Sequence, residues 1–208
     1  MKVITIPTGL LRVNTYLVGD EQTGKALVID PGGNAKAIFA AAGQKQWQIE
    51  RILITHAHFD HIGGADELRD LTDVDISVPI GEENMAADPV KNCSYSMLGR
   101  PVVIQNAVKT IRPGEELFVG SMKVTALSVP GHSPAGMAYL VEDAVFTGDT
   151  LMAGTVGRTD LGGGSADKLF SSIRIQLFSL PDDTVVYYGH TGQTTVGQEK
   201  KYNPFVGE

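Results

Sequence analysis

Thr55-His56-Ala57-His58-Phe59-Asp60-His61 forms a His-x-His-x-Asp-His cluster that contains three of the five histidines in the chain. The cluster follows the apolar run at residues 51–54, which predicts a short buried strand. The two remaining histidines, His132 and His190, each follow a glycine. Neutral imidazole and carboxylate groups are ligands suited to zinc, and also to iron or manganese. We therefore predict a dedicated metal site that uses every histidine of the chain.

The candidate ligands share one local setting, in which a short β-rich run is followed by a sharp turn. Such runs occupy residues 52–54, 124–129, 144–147 and 185–188. Strand ends are rigid, and loops at one edge of a sheet can converge on a common site. Seven candidate ligands arise in this way, which is enough for two metal ions: His56, His58, Asp60, His61, His132, Asp149 and His190.

Spacing within the cluster predicts how two ions would be shared. His56 and His58 lie two residues apart in an extended loop and can chelate one ion. Asp60 and His61 fall on the following turn and can face a second ion, while a carboxylate such as Asp149 can bridge both. Two metals about 3.5–4 Å apart can share a water and lower its pKa toward neutrality. The predicted nucleophile is therefore a hydroxide held beside two Lewis acids.

Two aspartates also have simpler interpretations. Gly148-Asp149-Thr150 on its own is typical of a turn or a helix cap, but its place in the ordered series of ligands favours metal binding. Asp30, within Ile29-Asp30-Pro31-Gly32-Gly33, is interpreted first as a turn residue and second as support for a ligand.

Length, charge and cysteine content narrow the class of protein. The 208 residues suffice for one domain, residues 1–208, and are too few for two ordinary ones. A net charge of −7 argues against nucleic acid or an anionic membrane as a partner. The single cysteine, Cys93, excludes an intrachain disulfide and fits a reducing compartment. With no signal-peptide pattern and no membrane-spanning run, the expected location is the cytoplasm.

Strands and helices are predicted along the whole chain. The predicted strands are residues 3–6, 15–18, 26–29, 51–54, 76–78, 115–119, 123–129, 137–141, 145–147 and 184–188. The predicted helices are residues 35–42, 64–71, 82–87 and 166–180. Strands in two groups with helices between them predict an α/β protein with two sheets packed face to face and helices outside. Residues 88–100 are predicted as an exposed surface loop, with a lid over the site as the alternative.

Four motifs together resemble the successive signatures of the metallo-β-lactamase superfamily. They are the cluster at residues 55–61, Pro130-Gly131-His132-Ser133-Pro134, Phe146-Thr147-Gly148-Asp149-Thr150 and Gly189-His190. Gly157-Arg158-Thr159-Asp160 and Tyr202-Asn203-Pro204-Phe205 resemble the glyoxalase-II-like branch, the hydroxyacylglutathione hydrolases and their short bacterial relatives. The resemblance covers essentially the whole chain. It implies an αββα sandwich, two mixed sheets flanked by helices, with a dinuclear metal site at one edge.

The resemblance also implies roles for individual residues. His56, His58 and His132 would hold the first metal, and Asp60, His61 and His190 the second, with Asp149 bridging the two. The two divalent ions would be zinc, with iron or manganese as alternatives. The implied reaction is hydrolysis of a small-molecule thioester by a metal-bridging hydroxide that Asp60 orients. Arg158 stands where glyoxalase II places a basic residue near the thiol half of its substrate; a surface salt bridge is the alternative role.

Several positions depart from the glyoxalase II pattern. Asp160 and Gly192 stand where that family has substrate-contacting tyrosines, and Ala135-Gly136 replaces the Gly-His that ends its Gly-His-Thr-Pro-Gly-His motif. The chain also has no room for the additional C-terminal helical domain that contacts glutathione. Another low-molecular-weight thiol is therefore as compatible with the sequence as glutathione is.

Other functions are weighed against thioester hydrolysis. Gly157-Arg158-Thr159-Asp160 also resembles the persulfide dioxygenases of the superfamily, in which one iron would be held by His56, His132 and Asp149. A β-lactamase is less favoured, because the best-known class has a cysteine where Asp149 stands and is exported. A nuclease would need a basic or RNA-binding insert, against which the net charge of −7 speaks. The intact ligand set disfavours a non-catalytic metal-binding module.

Overall fold

The strands form two six-stranded sheets in the computed structural model, which describes residues 1–190 and 192–207. The first sheet runs in chain order: β1 Lys2–Thr8, β2 Val13–Asp20, β3 Lys25–Ile29, β4 Gln48–Leu53, β5 Ile76–Pro79 and β6 Lys109–Ile111. Its first three strands are antiparallel, and β3 to β6 are parallel. Parallel pairing explains why helical connections separate these later strands.

The second sheet also has six strands: β7 Glu116–Val119, β8 Met122–Ser128, β9 Met137–Val141, β10 Ala144–Phe146, β13 Val185–Tyr187 and β14 Gln193–Thr195. Their order across the sheet is β14-β13-β10-β9-β8-β7. A separate ribbon pairs β11 Leu151–Met152 with β12 Thr155–Val156. Strands β10 and β13 are parallel neighbours, so their carboxyl ends lie at the same sheet edge.

Helices cover the outer faces of both sheets. They are α1 Ala35–Gln44, α2 Phe59–Ile62, α3 Ala65–Thr72, α4 Glu83–Ala87, α5 Ser94–Leu98, α6 Ala166–Ser172 and α7 Val196–Tyr202. A π-helical turn, Ile173–Leu177, continues α6. No helix in the described part of the chain is both long and apolar enough to span a membrane.

Strand β3 shows why the sheets pack in this way. All four of its last residues are buried, with Ala26 and Val28 in a cluster with the helices and Leu27 and Ile29 in a cluster with the second sheet. Successive side chains in a strand point to opposite faces, so a strand that is apolar throughout must be covered on both sides. A third cluster packs α6 against the outer face of the second sheet. The predicted αββα sandwich is confirmed.

Two predicted segments differ from the structure. Residues 88–100 are not all loop, since Ser94–Leu98 forms α5 between two residues in left-handed conformation, Cys93 at φ 68° and Gly99 at φ 67°. Residues 166–180 do not form one regular helix, because α6 ends at Ser172 and the chain widens into the π-helical turn. The helix was recognisable from its apolar spacing, whereas that spacing carries no sign of the wider turn.

Asp20 links the two sheets at the end far from the histidine cluster. Its carboxylate accepts hydrogen bonds from Ser121 N at 2.7 Å, Ser121 Oγ at 2.8 Å and Thr23 Oγ1 at 2.7 Å. Ser121 belongs to the β7–β8 turn of the second sheet, and Asp20 ends β2 of the first. The hydrogen bonds from Ser121 and Thr23 hold the pKa of Asp20 well below its ordinary value.

Asp20→Asn is expected to lower the melting temperature at pH 7, because the amide replaces a charged acceptor of several hydrogen bonds. A carboxyl group with a depressed pKa stabilises the fold above its ordinary pKa of about 3.9, and this contribution is lost as the pH falls. The difference in melting temperature between wild type and variant should therefore shrink from pH 5 toward pH 2. Asp183→Asn, in an exposed turn, is the control; an equal pH trend in both variants would contradict the assignment.

Candidate metal centre

The seven predicted ligands converge at one edge of the sandwich. His56 and His58 lie in the loop after β4, and the short helix α2 that follows carries Asp60 and His61. The other three ligands follow β8, β10 and β13 of the second sheet: His132, Asp149 and His190. The site therefore draws on both sheets, which rigid strand ends hold in place.

The first group of ligands consists of three buried histidines. His56 Nε2 lies 3.2 Å from His132 Nε2, and His58 Nδ1 lies 3.0 Å from the same atom. A tetrahedral zinc site with Zn–N bonds of about 2.0–2.1 Å would separate two ligand nitrogens by roughly 3.3 Å. The three imidazole nitrogens thus lie close enough together to bind one cation, and their role as ligands stays a prediction.

The second group combines a carboxylate with two imidazoles. Asp60 Oδ2 lies 3.8 Å from His61 Nε2 and 3.4 Å from His190 Nε2. These atoms belong to a second set that could hold a metal ion. The four-residue helix α2 carries Asp60 and His61 next to each other, and the ring of His61 lies 4.1 Å from that of His56 in the first group.

Asp149 lies between the two groups. Its Oδ1 atom is 3.5 Å from His61 Nε2, and its Oδ2 atom is 3.5 Å from His190 Nε2 and 3.8 Å from His132 Nε2. It also forms a possible metal set with His56 and His61. A single carboxylate thus lies close to both groups, and its role as a bridging ligand stays a prediction.

Two buried side-chain atoms without a hydrogen-bond partner indicate whether these residues could bind a metal ion. His61 Nε2 and Asp149 Oδ1 are buried and have no hydrogen-bond partner within the described residues 1–190 and 192–207. Leaving a buried polar atom unsatisfied costs about 1–3 kcal/mol, so native proteins rarely do it. The two atoms are 3.5 Å apart and are both good donors to a divalent cation. The residues present therefore fit a metal ion.

Asp30 orients one of the ligands. Its Oδ2 atom is 2.9 Å from His61 Nδ1, and its carboxylate also accepts hydrogen bonds from Thr55 N and Thr55 Oγ1, each at 2.7 Å. With Nδ1–H donating to Asp30, the Nε2 lone pair of His61 is free for a metal. Asp30 also occupies a left-handed turn position at φ 51°. The interpretation of Asp30 as mainly a turn residue was incomplete, because it fills both roles.

Two other ligands are held through their outer nitrogens. His132 Nδ1 lies 2.8 Å from the carbonyl oxygen of Arg158, and His56 Nδ1 lies 3.1 Å from Thr55 Oγ1. The first contact requires an Nδ1–H donor, which leaves His132 Nε2 as the ligand atom. The link from His132 to a backbone carbonyl was not foreseen, because side-chain type carries no information about it.

Burial and neighbouring charges shift the pKa values of the two groups of candidate ligands in different directions. Burial lowers the pKa of His56 well below its ordinary value and that of His58 to about 3, and the neighbouring imidazoles add to the effect. Neutral imidazole is the form that binds metals. Burial opposes ionisation of Asp149, but the charges of His61 and His56 and the hydrogen bonds from His190 and His61 together outweigh it and hold the Asp149 pKa well below its ordinary value. Hydrogen bonds to Asp149 and Asp60 raise the pKa of His190 to about 9.

The side chain of Arg158 points to an exposed partner. Its Nε and one terminal nitrogen contact the two carboxylate oxygens of Asp160, each at 2.7 Å. The arginine side chain is 55% exposed, so this pair is a surface salt bridge that a charged ligand could replace. The predicted contact of Arg158 with substrate stays a prediction.

Glu82 was missed by sequence reasoning although it joins two ligand loops. Its carboxylate is fully buried and accepts hydrogen bonds from Ala57 N at 3.1 Å and Ala135 N at 2.9 Å. Ala57 separates His56 from His58, and Ala135 lies three residues after His132. Nothing in the pattern around Glu82 marks it, because both partners are distant in sequence.

Glu82→Gln is expected to weaken metal binding at the three-histidine group by roughly 10- to 100-fold, the usual effect of losing a group that orients ligands. The amide keeps the shape of the side chain but turns one acceptor into a donor that faces a backbone N–H. Competition with a chromophoric chelator measures the affinity. Glu83→Gln is the matched control, since Glu83 contacts Gly81 N and no ligand loop; equal loss in both variants would refute this role.

Gly189→Ala is expected to disrupt the centre through size alone. A Cβ atom at position 189 would collide with Asp149 Oδ1 and would lie 2.9 Å from His61 Cε1. We expect loss of at least one metal per chain, measured by elemental analysis. Gly192→Ala places its Cβ 3.6 Å from Tyr188 Oη, an ordinary contact, and should retain the metals. If Gly189→Ala kept its full metal content, metal binding would not require the Asp149 carboxylate in its present position.

The chain belongs to the metallo-β-lactamase superfamily, because the model of that family matches residues 8–190. It is 39% identical to the probable metallo-hydrolase YqgX of Bacillus subtilis (strain 168), over 99% of this chain and 98% of that protein. It is 32% identical to the hydroxyacylglutathione hydrolase GloC of Haemophilus influenzae, over 99% and 98% of the two chains. Membership of this family supports a metal-dependent hydrolytic enzyme, and the His/Asp cluster could hold its metal.

Three solved structures resemble this chain over nearly its whole length. BLEG-1, a B3 metallo-β-lactamase, superposes with a TM-score of 0.94 at 35% identity, over 99% of each chain. TTHA1623 in a di-iron-bound form has a TM-score of 0.86 at 33% identity, over 97% of this chain and 99% of that one. ETHE1 from Myxococcus xanthus has a TM-score of 0.83 at 31% identity, over 99% and 84%. Similarity over the whole chain therefore establishes the superfamily and does not identify the substrate.

Proposed function

We propose that the chain is a dinuclear-metal hydrolase that cleaves a thioester of a low-molecular-weight thiol. The observation that carries the proposal is the pair of complete ligand groups that share Asp149, with two buried ligand atoms that lack any other partner among the described residues. The similarity to GloC, a hydroxyacylglutathione hydrolase, supports the thioester.

Some residues of the site would bind the metal ions, and others would orient the water and the substrate. The two ligand groups would hold two divalent cations, which would supply a lowered pKa for a water molecule and polarisation of the carbonyl group under attack. Asp60 accepts a hydrogen bond from the attacking water and orients it toward that carbonyl. The neutral state of His56 and His58, which burial maintains, keeps their nitrogens available as ligands. Arg158, at the exposed rim, exchanges Asp160 for a carboxylate on the thiol half of the substrate.

The ligand types and the composition of the chain bear on the metal ions, the partner and the cellular location. Zinc suits the imidazole and carboxylate ligands, and iron and manganese suit them as well, as the di-iron form of TTHA1623 illustrates for that protein. The net charge of −7 supports a small-molecule partner over nucleic acid or a membrane surface. The single cysteine fits the reducing cytoplasm.

Two other activities have one observation each in their favour. The similarity to ETHE1 favours a mononuclear-iron persulfide dioxygenase, in which His56, His132 and Asp149 would hold one iron. The similarity to BLEG-1 favours a β-lactamase. The completeness of the second group, Asp60 with His61 and His190, is explained by a dinuclear enzyme and is unnecessary in a mononuclear one.

Metal content and activity, measured on the same preparation, test the proposal. Protein purified without chelator or added metal should contain about two metals per chain and hydrolyse S-lactoylglutathione. Asp60→Asn separates the alternatives: it should abolish hydrolysis in a dinuclear enzyme and spare oxygen uptake in a mononuclear dioxygenase. One iron per chain, with oxygen uptake on glutathione persulfide and no thioester cleavage, would move the protein to the dioxygenases. Hydrolysis of a β-lactam with no thioester cleavage would support the β-lactamase.

A further inference from the structure

A cavity of about 490 Å³ lies beside the metal centre. Pro134, which lines it, follows His132 by two residues. Cys93, which also lines it, follows Asn92 in the chain. The carbonyl oxygen of Asn92 accepts a hydrogen bond at 3.1 Å from the backbone N–H of Phe59, the residue before Asp60. The cavity wall is thus continuous with two of the loops that carry ligands.

Electrostatics also place the cavity close to the reacting groups. Burial raises the pKa of the Cys93 thiol, while the charges of Arg158 and Asp60 act on it in opposite directions. The thiol therefore lies within electrostatic reach of a predicted metal ligand and of the arginine at the rim.

The lining of the cavity is mainly apolar. Four of its six side chains are apolar or weakly polar, those of Met85, Val90, Cys93 and Pro134, and three glycines complete the apolar part of the wall. Asn84 is the one uncharged polar side chain in the lining. Its one charged lining residue is Lys91, whose Nζ atom is already 3.7 Å from Asp88. Low-molecular-weight thiols are polar and carry several charges, which an apolar wall with one paired cation would leave unsatisfied. An apolar chain would instead gain by leaving water.

We propose that this cavity binds the acyl half of the thioester and that it selects apolar, medium-length acyl groups over short hydroxyacyl groups. The assignment rests on the proposed thioester hydrolysis and names the substrate class of that same site. A volume of 490 Å³ falls within the range of about 300–1,000 Å³ typical of small-molecule sites. A lactoyl group would fill only a small part of it.

Gly162 offers a way to fill the cavity without straining the backbone. It lines the cavity, its φ is ordinary, and a Cβ atom there would meet nothing within 4 Å. Gly163 is unsuitable, since its φ is 86° and its Cβ would press on Pro134. Gly43, in α1, is a matched control because it too is exposed with open space around its Cβ and lies outside the cavity.

The experiment compares acetyl, butyryl, hexanoyl and octanoyl thioesters of glutathione on the metal-loaded enzyme. In the wild type, kcat/KM should rise about three- to fourfold per added methylene until the cavity is full. Gly162→Trp should lower the octanoyl-to-acetyl ratio of kcat/KM at least about tenfold. Gly43→Trp should leave the ratio and the activity unchanged.

A binding measurement provides a readout that does not depend on turnover. Octan-1-ol, which has no carboxylate to ligate a metal, should shift the amide resonances of Cys93 and Gly162 in the wild type and bind at least about tenfold more weakly to Gly162→Trp. Thioester hydrolysis with a flat acyl profile and no octanol binding would overturn this assignment alone. Failure to hydrolyse any thioester would overturn the proposed function and the acyl assignment with it.

Discussion

Replacing Asp149 with alanine is expected to remove at least one metal per chain and to lower kcat/KM by about 10³-fold or more, since metal charge stabilisation supplies several kcal/mol. The reason is geometric, because Asp149 is the carboxylate that faces both ligand groups, 3.5 Å from His61 Nε2 and 3.8 Å from His132 Nε2. Elemental analysis of purified protein and the rate of thioester hydrolysis measure the two effects.

A matched control separates this effect from loss of charge in general. Asp143→Ala removes an exposed carboxylate from the β9–β10 turn of the same sheet and should change neither metal content nor rate. The far-ultraviolet circular dichroism of both variants should match that of the wild type, which excludes unfolding as the cause. An Asp149→Ala protein that kept two metals and full activity would exclude a bridging role.

The second large effect is expected at Asp30, which contacts no metal ligand atom directly. Asp30→Ala removes the acceptor of His61 Nδ1 and of both Thr55 donors. We expect the affinity of the second metal to fall by about 10- to 100-fold. Each buried donor left without an acceptor also costs about 1–3 kcal/mol, so the metal-free protein should melt at a lower temperature.

Asp30→Asn distinguishes the carboxylate from the backbone turn at this position. Asparagine tolerates the left-handed conformation at φ 51° and keeps one carbonyl acceptor. It should therefore retain much of the thermal stability of the metal-free protein, while metal affinity, measured by competition with a chelator, still falls. Equal metal affinity in wild type and Asp30→Asn would mean that Asp30 acts only as a turn residue.

The candidate metal ligands could be recognised in the sequence because four of them lie within seven residues and the other three share one local pattern. Residues 55–61 hold four of them, and His132, Asp149 and His190 each follow a glycine at the end of an apolar run. The sandwich was also predictable, since strands such as β3 are apolar on both faces and need a cover on each side.

Short polar elements were missed for a physical reason. Strand β6, Lys109–Ile111, and strand β14, Gln193–Thr195, have no apolar alternation and are strands because β5 and β13 offer them open edges. The ribbon of β11 and β12 and helix α7 were also missed. For β6 and β14, pairing with a neighbouring strand, rather than local preference, decides the structure.

The amino-acid sequence alone determined the superfamily, the set of candidate ligands and the layered architecture, because these depend on residue type and on periodicity along the chain. The supports of the site depended on the folded structure: Glu82 meets two loops, Asp30 orients His61 across the sheet, and the Arg158 carbonyl holds His132. The cavity beside Cys93 likewise exists only where separate segments meet. Contacts of this kind follow from packing in three dimensions, which no local pattern of residues encodes.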